Sequence, residues 1–137
     1  MKQMIYRSQP FGFDRAMLAG ILVDARRNNP RDAITGALIC RQDLYLQLIE
    51  GPDAAIDALY ERITRDNRHD NIVLLLSDTV DRRMFAEWAM LDDEAPSLAW
   101  SAEEVEEGAL DAASPAALRG VFERLAATAR ERATASS

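Results

Sequence analysis

Cysteine and histidine occur once each in this chain of 137 residues, as Cys40 and His69, and Lys2 is its single lysine. One thiol excludes an internal disulfide and a cysteine-based zinc site. One imidazole disfavours a histidine metal cluster, so no metal is expected. No apolar run approaches the ~18 residues a spanning helix needs, and the first residues lack the basic-then-apolar pattern of a secretory leader. These absences predict a cytoplasmic protein with no membrane partner. Positive charge is also short: 16 Lys and Arg stand against 23 Asp and Glu, for a net charge of -7 and a pI near 4.7. That balance argues against non-specific binding to nucleic acid or anionic lipid.

What is present is ordinary globular material, 48% hydrophobic and 28% charged, in a length suited to one domain with an appended element. Lys2 to Ser8 reads as a strand closed by Gln9-Pro10-Phe11-Gly12. Asp14 is a candidate N-cap for a helix to about Arg27, with Met17, Leu18, Ile21, Leu22 and Ala25 at helical spacing and Asn28-Asn29-Pro30 as its stop. Ala33–Arg41 and Leu44–Glu50 are expected as strands joined by Gln42-Asp43. A second helix starts at Gly51-Pro52-Asp53 and carries Ile56, Leu59, Tyr60 and Ile63 on one face. Ile72–Ser77 and Met84–Leu91 complete five strands.

The order β-α-β-β-α-β-β contains the split βαβ of the ferredoxin-like plan. It predicts an α+β domain over residues 1–95: a five-stranded mixed sheet, first and third strands adjacent at its centre, both helices on one face. Residues 96–137 read as a helical extension. A linker at Pro96-Ser97 leads to a short helix with capping-box form at Ser101-Ala102-Glu103-Glu104. An amphipathic helix follows over about 115–132, with Leu118, Val121, Phe122 and Leu125 on one stripe. That stripe is expected to cover the sheet face the other helices leave free, or else to meet another subunit.

Polar residues interrupt this pattern at places that matter. Gln47 lies in the apolar run Leu44-Tyr45-Leu46-Gln47-Leu48-Ile49, where a buried amide must find partners. Tyr6 shares a strand face with Met4 and Ser8. Asn29 sits where the first helix returns to the sheet. Trp88 and Met90, two residues apart, are expected on one face of the fifth strand. If the first and third strands are neighbours, Tyr6 and Gln47 can meet, and a tyrosine, two amides and a tryptophan or methionine converge. Singly, each has an ordinary core or turn role.

The stretches Ile5-Tyr6-Arg7-Ser8, Asn28-Asn29-Pro30-Arg31-Asp32-Ala33-Ile34-Thr35-Gly36, Leu46-Gln47-Leu48-Ile49-Glu50-Gly51-Pro52, Asp66-Asn67-Arg68-His69 and Arg83-Met84-Phe85-Ala86-Glu87-Trp88-Ala89-Met90 occur in order. Together they resemble the BLUF domains, flavin-binding blue-light sensors, over residues 1 to about 92. The resemblance implies non-covalently bound FAD and the ferredoxin-like sheet. It implies Tyr6 as electron and proton donor, Gln47 as the bridge from tyrosine to flavin, and Asn29, with Asn28 beside it, as reader of the ring edge. It implies Trp88 and Met90 as the pair whose place beside Gln47 changes with light, leaving open which of them is there, and Ser8 among the photochemical residues. Ile21 and Ile63 would sandwich the ring, and Arg62, Asp66, Arg68 and His69 would lie near its far carbonyl or the ribityl-phosphate side. Cys40 is expected as a buried structural thiol.

The resemblance implies a photoreceptor, not an enzyme, that signals to an unidentified partner protein or by self-association. Two other functions compete. One is a light-insensitive binding or assembly module, against which the complete Tyr6, Asn29 and Gln47 set argues. The other is an acylphosphatase-like enzyme, suggested by Tyr6-Arg7-Ser8 and Phe11-Gly12-Phe13, for which no glycine-rich anion cradle follows.

Overall fold

Alternation along the first strand puts Met4, Tyr6 and Ser8 on one side and Gln3, Ile5 and Arg7 on the other, and the molecule is organised around those two sides. The computed structural model describes residues 1–10, 15–41, 44–65, 69–93 and 114–135. Along them run β1 (Lys2–Pro10), α1 (Arg15–Asn28), β2 (Thr35–Arg41), β3 (Leu44–Gly51), α2 (Asp53–Arg65), β4 (His69–Thr79), β5 (Leu91–Asp93) and α3 (Pro115–Ala135). The sheet order is β4-β1-β3-β2-β5. The first four strands pair antiparallel, and the short β5 joins β2 in parallel.

Local chemistry sets the helix ends. Arg26 and Arg27 occupy the last turn of α1 and Asp53 the first turn of α2, each of the sign the helix dipole favours. The Ser114 hydroxyl accepts the Ala117 amide at 3.1 Å, and Pro115 follows at the first helical position, where a missing N–H costs nothing. After α1, the Asp32 and Ile34 amides turn back onto the Asn29 carbonyl at 3.1 and 2.9 Å. This turn holds Ala33 at φ 58°, so β2 begins at Thr35 and not at the expected Ala33.

Two hydrophobic cores result. Met4, Tyr6, Leu38, Tyr45 and Ile49 pack beneath Leu22 of α1 and Ile56 of α2, with Leu59, Tyr60 and Ile63 at the margin. On the opposite face Ile5, Ala37, Ile39, Leu46, Leu48 and Phe85 pack against Leu118, Val121, Phe122, Leu125 and Ala126 of α3. The stripe of α3 therefore covers the second sheet face. Burying each of its larger side chains stabilises by roughly 1.5–3 kcal/mol, and Phe85 and Phe122 meet edge to face at 6.2 Å between ring centroids. Polar contacts frame the seam: Arg119 reaches Asp78 at 2.7 Å and Arg130 reaches Glu87 at 3.0 Å.

The sequence reading erred most at the fifth strand. Residues 84–90 form turns and bends, and only Leu91–Asp93 pair as β5. The Met84 and Phe85 amides go to the Glu50 carboxylate, which leaves them unavailable to a ladder. β4 is longer than the expected Ile72–Ser77, because pairing with the nine residues of β1 carries its polar ends. The linker, the expected helix at Ser101 and the Phe11-Gly12-Phe13 loop lie outside the described residues, as does the side chain of Cys40.

A Cβ on Gly36 would fall on the Leu48 carbonyl oxygen; Gly36→Ala should therefore destabilise by about 3 kcal/mol, the upper end for overpacking, as read in thermal or urea unfolding. Arg119 holds the Asp78 carboxyl below its ordinary pKa, and Arg130 does the same for Glu87. Groups lowered on folding stabilise above the ordinary carboxylate value of about 4, and that stabilisation disappears as pH falls through the lower folded values. The melting-temperature advantage of the native chain over Asp78→Asn/Glu87→Gln should be present at pH 6 and shrink progressively as pH falls below the ordinary carboxylate range.

Candidate functional site

The antiparallel register of β1 and β3 sets Tyr6 directly opposite Gln47. Both are buried, Tyr6 fully and Gln47 with 4% exposed, and both point to the α1/α2 side. The Tyr6 hydroxyl donates to Gln47 Oε1. Gln47 Nε2 donates to Met90 Sδ at 3.5 Å, a soft acceptor that forms only a weak bond. Tyr60 of α2 closes on the Tyr6 ring edge to face, 5.8 Å between centroids. Burial raises the Tyr60 pKa, which keeps that neighbour a neutral phenol.

Asn29 reaches the same site from the end of α1. Its amide continues the helix by bonding the Ala25 carbonyl at 2.8 Å, and its side chain is 2% exposed. Asn29 Nδ2 donates to the Ala89 carbonyl at 2.8 Å, while Arg26 Nε reaches the Met90 carbonyl at 3.3 Å. These two bonds seat Met90 against Gln47. A carboxamide carries two N–H donors and an oxygen with two lone pairs. Gln47 and Asn29 each spend one N–H on the bonds above, so each keeps donor capacity for a ligand rich in carbonyl and ring-nitrogen acceptors. The oxidised ring of FAD offers such acceptors, and the residues present fit it.

Ser8 is buried, opposite Tyr45 on β3. Ile63 packs at the margin of the same core, and Asn28 is half-buried as the last residue of α1. Arg62 is exposed and pairs with Asp32 at 3.4 Å. The pair lies on a surface pocket of about 350 Å³ also lined by Ala55, Ala58, Glu61 and Arg65. Ile21 belongs to α1 and His69 pairs with Pro10 on β1, but both side chains lie outside the described set, together with Asp66 and Arg68.

Trp88 requires a correction. It does not share a face with Met90. Without a strand over 84–90, Met90 enters the α1/α2 core and Trp88 packs with Phe85 on the α3 side. The Arg130 guanidinium covers its ring at 5.6 Å. In this structure Met90, not Trp88, is next to Gln47.

Sequence reasoning passed over a second polar cluster, built on Glu50 with Gln3 and Thr35. The signal was available: Gln3 and Glu50 interrupt apolar alternation just as Gln47 does. Arg83, which holds the Ala33 carbonyl at 2.6 Å, carried no such signal. Among the described residues no cluster of His, Cys, Asp and Glu could hold a metal, and no helix is long and apolar enough to cross a membrane.

Residues 1–91 match the family model described as BLUF, sensors of blue-light using FAD. The chain is 38% identical over 66 residues to the blue light- and temperature-regulated antirepressor BluF of Escherichia coli, covering 48% of this chain and 16% of the relative. It is 28% identical over 95 residues to the photoactivated adenylate cyclase subunit alpha of Euglena gracilis, covering 67% and 9%. The match thus spans a small part of these relatives' length. Among solved structures, BlrB, a BLUF protein in its dark state, superposes with a TM-score of 0.79 at 30% identity, covering 93% of this chain and 96% of that one. A bacterial light-regulated adenylyl cyclase gives 0.65 at 34%, covering 80% and 32%.

The position of Trp88 is open to a fluorescence check. In a Trp100→Phe background, Arg130→Ala should uncover Trp88 and move its emission to longer wavelength, whereas Met90→Leu should leave it unchanged. The reverse pattern would put Trp88 beside Gln47.

Proposed function

This chain belongs to the BLUF family of blue-light photoreceptors that use FAD, and from that premise we propose that Tyr6, Gln47 and Met90 convert absorbed light into a change of hydrogen bonding. The buried Tyr6–Gln47 hydrogen bond is the observation that carries the proposal. Bound FAD supplies a chromophore that absorbs blue light and becomes a strong oxidant. Gln47 and Asn29 would hydrogen-bond its ring edge, and Ile21 and Ile63 would flank the ring. Asn28, Arg62, Asp66, Arg68 and His69 are assigned to its periphery on the resemblance alone. Ser8, on the Tyr6 face, is assigned a supporting place beside the phenol.

Tyr6 can give an electron to the excited chromophore and its phenolic proton along the bond that already points at Gln47 Oε1, and an electron and a proton return to the phenol once the amide has rearranged, so no net oxidation remains. The Gln47 amide then rotates or tautomerises. A rotated amide turns its oxygen toward Met90 Sδ, so two acceptors face each other where a donor and an acceptor had met. Met90 must shift, and residues 84–90 move with it. The switch needs no covalent bond to the chromophore, and the segment is a two-state element whose balance the amide biases.

The ferredoxin-like label for the fold is supported by the β4-β1-β3-β2 order and by α1 and α2 sharing one face. The fold, with no catalytic step assigned to it, suits a sensor. Relatives named as a light-regulated cyclase and an antirepressor support an output through a partner protein; a second copy of this chain is the other route. We place the protein in the cytoplasm.

The test is a spectrum taken from dark-purified protein before and after blue light. A yellow protein whose band moves reversibly to the red is the expected result. A colourless protein that takes up no added FAD would falsify the reading and favour a light-insensitive module. Tyr6→Phe should keep FAD and lose the reversible shift; a mutant that cycles normally would remove Tyr6 from its assigned role.

A further inference from the structure

Glu50 lies three positions beyond Gln47 on β3, and alternation sends its side chain to the opposite face. It is fully buried. Its oxygens take four donors: Oε1 accepts Gln3 Nε2 at 3.3 Å and the Met84 amide at 2.8 Å, while Oε2 accepts Thr35 Oγ1 at 2.9 Å and the Phe85 amide at 2.7 Å. A carboxylate has about four lone-pair sites and donates nothing, so the set is filled. Bonds to an ionised acceptor are roughly twice as strong as neutral ones.

Two of these donors are consecutive amides at the start of the segment that ends at Met90. Glu50 pins the head of that segment, and Asn29 and Arg26 hold its tail through the Ala89 and Met90 carbonyls. The pin and Gln47 belong to one strand, only ~10 Å apart at a rise of about 3.3 Å per residue. The same carboxylate holds Gln3, whose oxygen accepts from Arg119 Nε of α3 at 3.3 Å. Arg119 in turn pairs with Asp78.

We propose that Glu50 is a positioning residue of the light switch. It sets the reach of residues 84–90, so that Met90 meets Gln47. It also shares that anchor, through Gln3, with Arg119, so that displacement of the segment is felt at α3. The inference rests on the photoreceptor reading, and it goes beyond that reading by naming the residue that joins the chromophore side of the sheet to the α3 side. A carboxamide at position 50 would aim an NH2 group at donors and could not fill the set, while conserving volume.

The test uses the full chain loaded with FAD, with Glu50→Gln and Gln3→Met. Three quantities are read: the light-induced red shift, its dark-recovery rate, and the light-minus-dark difference in hydrogen exchange of α3. Glu50→Gln should still form the red shift, because Tyr6 and Gln47 lie across the sheet. Its recovery should be at least ~10-fold faster, since a loosened segment returns over a lower barrier, about 1.4 kcal/mol per tenfold. Its α3 difference should be lost. Gln3→Met keeps both segment amides on the carboxylate, so it should recover close to the native rate and lose only the α3 difference.

Native recovery and a native α3 difference in Glu50→Gln would overturn the proposal. A full α3 difference in Gln3→Met, or none in the native chain, would overturn the link to α3. If Glu50→Gln does not fold, Gln3→Met still tests the link to α3, and Thr35→Val, which removes one donor from the carboxylate at similar volume, tests the positioning role: native recovery there would overturn it. A native chain that shows no red shift at all would instead refute the photoreceptor reading.

Discussion

The site depends on one pairing, Tyr6 opposite Gln47 at the centre of the sheet. Because side chains alternate along a strand, a slip of one residue between β1 and β3 would send the phenol and the amide to opposite faces. The register is therefore specified from both sides. Met4 and Ile49 bury on the Tyr6 side, Ile5 and Leu48 on the other, and every one of these four must stay in its own core. Hydrophobic burial thus enforces a polar contact to which hydrophobicity is indifferent. A buried amide with one strong partner and one weak one, Tyr6 and Met90, can be re-aimed at small cost.

The two faces divide the labour. The α1/α2 side holds the aromatic and amide groups suited to a flavin. The α3 side holds a carboxylate cluster and an apolar helix seam. Residues 84–90 touch both, with Phe85 and Trp88 in one core and Met90 in the other. A regular strand could also send alternate residues to alternate faces, but it would tie up its amides in a ladder. Irregular backbone leaves those amides to Glu50 and leaves Met90 to be held through carbonyls, by Asn29 and Arg26. Such a segment can shift without breaking the sheet, which a signalling element requires.

Much of this was legible before the fold was seen. Helix spacing and stop signals placed α1 and α2 within a residue or two, since apolar periodicity and caps are local properties. The hairpin of β2 and β3 and the central place of β1 followed from turn chemistry and element order. Gln47 stood out because an amide in an apolar strand is costly. Glu50 and Gln3 break the same rule on the other parity and were passed over. The fifth strand was misread because apolar residues at Met84, Phe85, Trp88 and Met90 look alike whether they line one face or two. What decides between the two is Glu50, distant in sequence, which claims the Met84 and Phe85 amides.

Strand alternation, the helical stripes and the anomaly of an amide in an apolar strand are all local patterns, set by neighbours a few residues apart, and so are written in the order of residues. Only the folded chain shows that Met90 rather than Trp88 sits beside the amide and that Glu50 ties the segment to the sheet. Those outcomes turn on contacts between residues tens of positions apart, where the choice of partner rests on competition for a limited number of buried donors and acceptors. No local pattern records which competitor wins.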